Sequence, residues 1–351
     1  MSNLAAAMGV GVETLGMQKS IYQQGWACDK NCAGVEGWHH AGMSASTTAG
    51  NGQKFEGGAI GFIGLGVMGQ SLAGHLLKAG YPVVVYTRSR AKAEPVLAAG
   101  ARWADSPATL AAQCRLIFTM VGFPADVEEV YLGDKGLIKS AATGTLLADL
   151  TTSTPALAKH IAQATAARGL AALDAPVTGG DIGARNAQLS IMVGGDAAAF
   201  ARAEPVLKLF GPTIVRHGPA GSGQHAKMCN QIMIASTMVG MCEALAYAQA
   251  AGLDAQAVLK STSGGGAASF SLQKLAPRIL NGDFAPGFYV KHFVKDLAIA
   301  LGAAREMKLD LPGLALGEKL YRELAASGHA DEGTQALWKL YEMKMPKRVG
   351  W

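Results

Sequence analysis

The chain has 351 residues, half of them hydrophobic, and a mean hydropathy of +0.19, which leaves room for about two domains around a large core. A net charge of +5 with scattered Lys and Arg leaves no footprint for nucleic acid, and a charged content of only 16% is in keeping with an oligomer.

Residues 1–57 stand apart. They are rich in Gly, Ala, Ser and Gln, lack long apolar periodicity and contain no Arg, so a disordered extension is expected. An organelle-targeting segment is the functional alternative. Such segments are Arg-rich and acid-poor, whereas this one carries Glu13, Asp29 and Glu36. A start codon placed too early is a third reading. The expected location is accordingly soluble and intracellular, cytoplasmic, or mitochondrial or plastid if the extension is a targeting signal. Cys28, Cys32, His39 and His40 match no standard zinc spacing, so no metal site is expected. With Cys114, Cys229 and Cys242 the five cysteines form no even framework and read as free thiols.

From residue 59 the pattern changes. A short apolar run at 59–63 is followed by Gly64, Gly66 and Gly69 in G-x-G-x-x-G spacing, and then by an amphipathic segment that stops at Gly80. Strand, tight turn and helix in that order suit a dinucleotide. Gly64 permits the turn, Gly66 lets backbone approach a pyrophosphate, and Gly69 lets helix and strand pack closely. The helix N-terminus beginning at Val67 and Met68 offers free N–H groups to phosphate.

Strand-like runs recur at 83–87, 116–121, 145–150, 171–177, 189–193 and 213–217. Helical patterns lie at 67–79, 90–98, 107–113, 125–131, 154–168 and 197–209. Such alternation predicts an α/β, doubly wound, mostly parallel sheet. Beyond about residue 218 only helices are expected: 222–250, then 254–262, 271–281, 290–307, 312–327 and 334–342. The expected organisation is thus an extension at 1–57, a dinucleotide-binding domain at 58–219, a helical domain at 220–345 and a tail at 346–351. The apolar stretch 232–251 has the length of a membrane span. Glu243 interrupts it and no charge asymmetry flanks it, so a buried core helix is the better reading and no membrane association is expected.

Several strand ends carry candidate site residues. At the second, Thr87 stands where an NAD-preferring site places an acid, and Arg88, Ser89 and Arg90 follow. The arginines can pair with a 2′-phosphate, which favours NADP(H) over NAD(H), or they can simply start the next helix facing solvent. The third strand leads to Phe123 and Pro124, which can wall the cofactor. The fourth leads to Thr152, with Thr154-Pro155 reading as a helix cap. The stretch Asp174-Ala-Pro-Val-Thr178-Gly179-Gly180 can cradle a substrate carboxylate with amides and a hydroxyl, or be an ordinary turn.

Lys227 lies near the start of the long helix, with Gln224 and Gln231 on its face and Asn230 beside it. Polar groups in a buried helix cost free energy unless they line a cavity, and burial lowers a lysine pKa toward neutrality. A proton donor and a snorkelling lysine remain equally open from position alone. Lys295-Asp296 is a similar charged pair in an apolar helix, either reaching the nicotinamide region or serving as a structural ion pair. Tyr131-x-x-x-Lys135 imitates the short-chain dehydrogenase pattern, but Gly133 and Asp134 make it a turn.

Together these motifs resemble the β-hydroxyacid dehydrogenase family over about residues 58–343. The stretches GVMG, FTMVGFPADV, DAPVTGG, GSGQHAKMCNQ and GDFAPGFYVKHFVKDL look most like its plant 3-hydroxyisobutyrate dehydrogenase-like proteins. The resemblance implies a Rossmann domain, a long interdomain helix and a 6-phosphogluconate dehydrogenase-like helical domain supporting homodimers or homotetramers. It implies an NAD(P)-dependent oxidoreductase acting on a small hydroxy acid or semialdehyde acid. Gly64, Gly66, Met68 and Gly69 would hold pyrophosphate, while Phe123, Pro124 and Thr152 would line the cofactor site. Thr178, Gly179 and Gly180 would hold substrate, with Gln231 and Asn230 as further substrate-binding candidates, Lys227 would act as acid/base, and Lys295 would contact the cofactor. Thr178 stands where the family often has Ser, and Gln231 where it often has Asn. A glyoxylate/succinic semialdehyde reductase is one alternative. Two others are a non-catalytic dinucleotide-binding scaffold, which retention of Lys227 disfavours, and an imine reductase, a group that usually replaces this lysine.

Overall fold

The computed structural model describes Phe55 and residues 57–344, so the readings made for 1–54 and for the tail lie outside the described residues. Nine strands form one sheet: β1 Ile60–Ile63, β2 Val83–Tyr86, β3 Arg102–Trp103, β4 Leu116–Thr119, β5 Leu146–Asp149, β6 Ala171–Asp174, β7 Val177–Thr178, β8 Ser190–Gly195 and β9 Thr213–Gly218. Their order is β3-β2-β1-β4-β5-β6-β8-β7, with β9 paired to β8. The first six are parallel, as in a Rossmann domain, while β8 runs antiparallel to both β6 and β7 and parallel to β9.

The apolar runs are nearly continuous, as a sheet covered on both faces demands, and successive residues alternate between the two faces. Val83, Val85, Leu116, Phe118, Leu146 and Ala148 point into one core with Leu72 and Leu76 of the Val67–Lys78 helix. Val84, Ile117 and Leu147, which alternate with them, point into the other with Leu110, Tyr131 and Ile161. The Val67–Lys78 helix ends where Gly80 takes φ +79°, and the amides of Gly80 and Tyr81 turn back to Leu77 and Leu76.

Three details differ from the pattern read along the chain. The run 171–177 is not one strand: Pro176 has no N–H to donate, and the chain breaks there into β6 and β7. The segment 90–98 is a 3-10 turn, Arg90–Ala93, followed by a short helix, Glu94–Ala98. β3 escapes a reading of the pattern, because two edge residues carry too little apolar signal, and so do the short helices Leu137–Ser140 and Gly180–Arg185.

The 29-residue helix Ser222–Ala250 leaves the sheet and founds an all-helical domain. It is long and apolar enough to cross a membrane, and its Met228, Ala235, Met238, Cys242 and Leu245 build the helical core with Leu259, Phe293, Leu297, Tyr321 and Trp338. The Val290–Glu306 helix packs against it, and its Lys295 reaches the Thr152 carbonyl in the segment after β5.

Candidate active site

The expected cofactor residues lie at the carboxyl ends of β1, β2, β4 and β5, around the switch point where the strand order reverses between β1 and β4. Gly64 has φ +93°, and a Cβ there would stand 2.1 Å from the Met120 carbonyl oxygen. A Cβ at Gly69 would stand 1.9 Å from the Gly64 oxygen. Only glycine permits this approach of turn, strand and helix. A Cβ at Gly66, by contrast, would project into open space. The first turn of the following helix has no side-chain cap and no acid, and Val67 and Gly66 are exposed. Free amides at a positive helix end suit the pyrophosphate of a dinucleotide.

At the end of β2 the two arginines are held by protein. Arg88 Nη1 pairs with Asp126 at 2.9 Å while most of its side chain stays in solvent. Asp126 also accepts from the Phe123 amide at 3.1 Å. The Arg90 guanidinium lies 5.2 Å from the centre of the Trp103 ring. Thr87 is half-buried and Ser89 is exposed. Phe123 is 42% exposed, and its ring meets His292 of the helical domain at 5.3 Å. Pro124 opens the Pro124–Leu132 helix, which ends before Gly133, so Tyr131 and Lys135 do not share a helix.

The two domains meet through Lys295. Its Nζ donates to the Thr152 carbonyl at 2.7 Å and the Gly122 carbonyl at 3.2 Å, and pairs with Asp296 Oδ1 at 3.0 Å. Asp296 Oδ2 accepts from Gln231 Nε2 at 2.6 Å, and Gln231 Oε1 accepts from Asn230 at 2.7 Å. A chain of contacts therefore runs from two strand ends to the long helix. Thr154 caps the Pro155–Ala166 helix as expected, accepting from Leu157 N. Gly179 and Gly180 take φ +127° and +64° and begin the Gly180–Arg185 helix. A Cβ on Gly180 would face the Gly287 carbonyl of the helical domain at 3.5 Å. Arg185 is half-exposed and pairs with Asp181 at 2.8 Å.

Lys227 is 5% exposed, and among the described residues its ammonium has no hydrogen-bond partner. Burial pulls it down to about 8. Asp296 opposes that fall and Lys295 reinforces it. Gln224, whose spacing puts it on the lysine's polar face, is engaged elsewhere, because its side-chain amide bonds Ser153 N and Thr151 O. Two buried carboxylates lie nearby. Burial drives Asp149 up to about 7, with Asp174 adding to the rise, and burial raises Asp174 as well. The Asp149 carboxylate accepts from Thr151 N at 3.0 Å.

Asp149 yields a stability prediction. A carboxyl whose folded pKa lies above its unfolded value binds its proton better in the native state, so stability falls as pH rises between about 4 and 7. Asp149→Asn keeps an acceptor and removes the charge. Its Tm is expected to exceed wild type by several degrees at pH 8 and to lose most of that advantage at pH 5. A lower Tm at both pH values would show that the charge is compensated in place.

Dinucleotide turn, helical second domain and buried lysine define the class: an NAD(P)-dependent oxidoreductase. Residues 59–218 match the family described as the NAD binding domain of 6-phosphogluconate dehydrogenase. Residues 221–341 match that described as the NAD-binding domain of NADP-dependent 3-hydroxyisobutyrate dehydrogenase. The chain is 56% identical to the uncharacterized oxidoreductase YkwC of Bacillus subtilis, over 80% of this chain and 98% of that one. It is 50% identical to the probable 3-hydroxyisobutyrate dehydrogenase-like 1 of Arabidopsis thaliana, over 79% and 83%. The solved Mycobacterium tuberculosis 3-hydroxyisobutyrate dehydrogenase with L-serine superposes with a TM-score of 0.75 at 30% identity, over 81% of this chain and 98% of that one. The chain belongs to the β-hydroxyacid dehydrogenase family, among its 3-hydroxyisobutyrate dehydrogenase-like members.

Proposed function

We propose that the chain interconverts a small hydroxy acid and the corresponding aldehyde or keto acid with NADP(H), using Lys227 as general acid/base. The observation that carries this reading is Lys227 itself: a buried, unpaired ammonium held near pKa 8 at the junction of the two domains. A nicotinamide held there would supply or accept the hydride at the reacting carbon. Gly64, Gly66, Val67, Met68 and Gly69 would hold the pyrophosphate, and Thr87, Arg88, Ser89 and Arg90 the adenosine ribose with its 2′-phosphate. Phe123, Pro124 and Thr152 would line the nicotinamide side.

In reduction, Lys227 Nζ gives a proton to the substrate oxygen as the carbonyl π bond opens; in oxidation it takes the hydroxyl proton. Thr178 Oγ1 and the amides of Gly179 and Gly180 would fix the carboxylate, which orients the reacting carbon. Asn230 and Gln231 border the same face, but Gln231 is already bonded to Asp296, so its part is to hold that carboxylate and Asn230 in place. Lys295 would serve the cofactor side by fixing the Thr152 and Gly122 carbonyls. Exposed Met233 and Tyr247 on the long helix favour association into a homodimer or homotetramer.

The two arginines at the end of β2 favour a second form of the reading, a glyoxylate or succinic semialdehyde reductase that prefers NADPH. Steady-state rates for 3-hydroxyisobutyrate, glyoxylate and succinic semialdehyde with each cofactor separate the two. Turnover with at least one carboxylate substrate is expected, together with a higher kcat/KM for NADP(H). Tight NADPH binding without turnover across the panel would instead favour a non-catalytic scaffold.

A further inference from the structure

The long helix that carries Lys227 begins without a cap of its own. Gly221, at its N-cap, has φ +89° and no side chain. The cap comes from β6. Asp174 Oδ1 accepts from the Gly221 amide at 2.7 Å, and Asp174 Oδ2 accepts from the Gln224 amide at 2.8 Å. Asp174 is 4% exposed, so its carboxyl group lies buried against the positive end of a 29-residue helix. The first turn is pressed onto the sheet there: a Cβ on Gly223 would stand 2.4 Å from the Asp174 carbonyl oxygen and 2.5 Å from that of Met192. On the other side Gln224 commits both ends of its side-chain amide to the segment after β5. Oε1 accepts from Ser153 N at 2.9 Å, and Nε2 donates to the Thr151 carbonyl at 2.8 Å. That segment contains Thr152, whose carbonyl Lys295 holds.

We propose that Asp174 and Gln224 are positioning residues, which together lock the first turn of this helix onto two strand ends and so set where the Lys227 ammonium stands. This rests on the reading of Lys227 as the acid/base. Lys227 follows Gln224 by three residues, about 4.5 Å along the axis, so a shift of the first turn reaches it undiminished. Asp174 also lies four residues before Thr178, on the strand end that leads into the proposed carboxylate turn. One carboxylate thus ties the substrate-holding turn to the helix bearing the proton donor. Both of its oxygens face N–H donors, so it holds a position and does not shuttle a proton. Asparagine cannot replace it, because one of its two polar ends is itself a donor and would face an amide N–H.

The test uses the full chain and the variants Asp174→Asn and Gln224→Met. It follows kcat, KM, the pH profile of reduction, NADPH affinity and Tm. The expected result is a fall in kcat of about 10- to 100-fold with NADPH affinity within about twofold of wild type. The pH at which reduction falls off should move upward by at least about half a unit, because a displaced lysine is better solvated. A role confined to stability would lower Tm and leave the pH profile in place. A wild-type kcat and pH profile in either folded variant overturns the proposal. If Asp174→Asn does not fold, Gln224→Met carries the test, since it keeps length and apolar volume. Failure of both to fold would make these residues supports of the fold alone and also overturns it. Lys227→Met measured alongside separates the two levels: normal turnover there sinks the acid/base reading itself, whereas its loss beside unchanged positioning variants sinks only the positioning role.

Discussion

Lys227→Met is expected to lower kcat/KM about a thousandfold while leaving NADPH binding within a few-fold of wild type. Methionine keeps an unbranched apolar side chain of similar bulk and removes the ammonium with its charge and its proton. The fold should not suffer. A lysine held near 8 has lost affinity for its proton on burial, so its charged form opposes folding below that pH. Removing it should leave Tm at pH 7 no lower than wild type. That sign separates a catalytic loss from an unfolded enzyme. Turnover within about tenfold of wild type in the purified variant would end the acid/base assignment.

On the proposed reading, the same group sets how the two directions respond to pH. With Lys227 as the proposed acid, reduction would need it protonated, so its rate should decline as pH rises through about 8. Oxidation would need it neutral and should gain through the same window. Asp296 is the nearest lever on this balance: its negative charge supports the protonated lysine, and its second oxygen is held by Gln231. On that reading Gln231 would act on the chemistry through the Asp296 carboxylate, without a need to touch substrate.

The chain's own pattern reveals those parts of the site whose physics is local. The glycine turn of β1 is legible because steric demand falls on three residues in a row of six. Lys227 is legible because a charge inside an apolar helix is anomalous wherever the helix packs. The Thr154 cap is legible because a cap bonds within its own turn. What escapes is what depends on distant partners. Asp174 looks like part of an anion turn, and nothing along the sequence says that it caps a helix 47 residues later. Gln224 has the right periodicity to share the Lys227 face, yet periodicity assigns a face and not a partner, and its partners lie 71 and 73 residues away. Pro176 is visible as a residue. Its effect, splitting the run into β6 and β7, becomes evident only when β8 pairs with each piece on its own terms. Arg88 and Arg90 show only their charge along the chain, and the acid and the indole that hold them come from later segments.

Those holders matter for the second large effect expected, a reversal of cofactor preference. Arg88→Ala with Arg90→Ala should raise KM for NADPH about 30-fold or more and change KM for NADH by less than about threefold. A charge-assisted contact is worth about 1.5–3 kcal/mol, roughly a factor of ten or more each. The two arginines should not contribute equally. Arg88 already shares its charge with Asp126, so part of its attraction for a 2′-phosphate is neutralised within the protein. Arg90 leans on Trp103, a contact that orients the guanidinium and leaves its charge free. Arg90→Ala alone should therefore lose more NADPH affinity than Arg88→Ala alone, and Asp126→Asn should strengthen NADPH binding by freeing Arg88. Thr87→Asp works from the opposite direction, setting a carboxylate beside the 2′ position, where it repels phosphate and accepts a hydroxyl. Equal losses for NADPH and NADH in the double variant would show that the arginines serve only the surface at the end of β2, and would return the cofactor assignment to the undivided NAD(P) of the family.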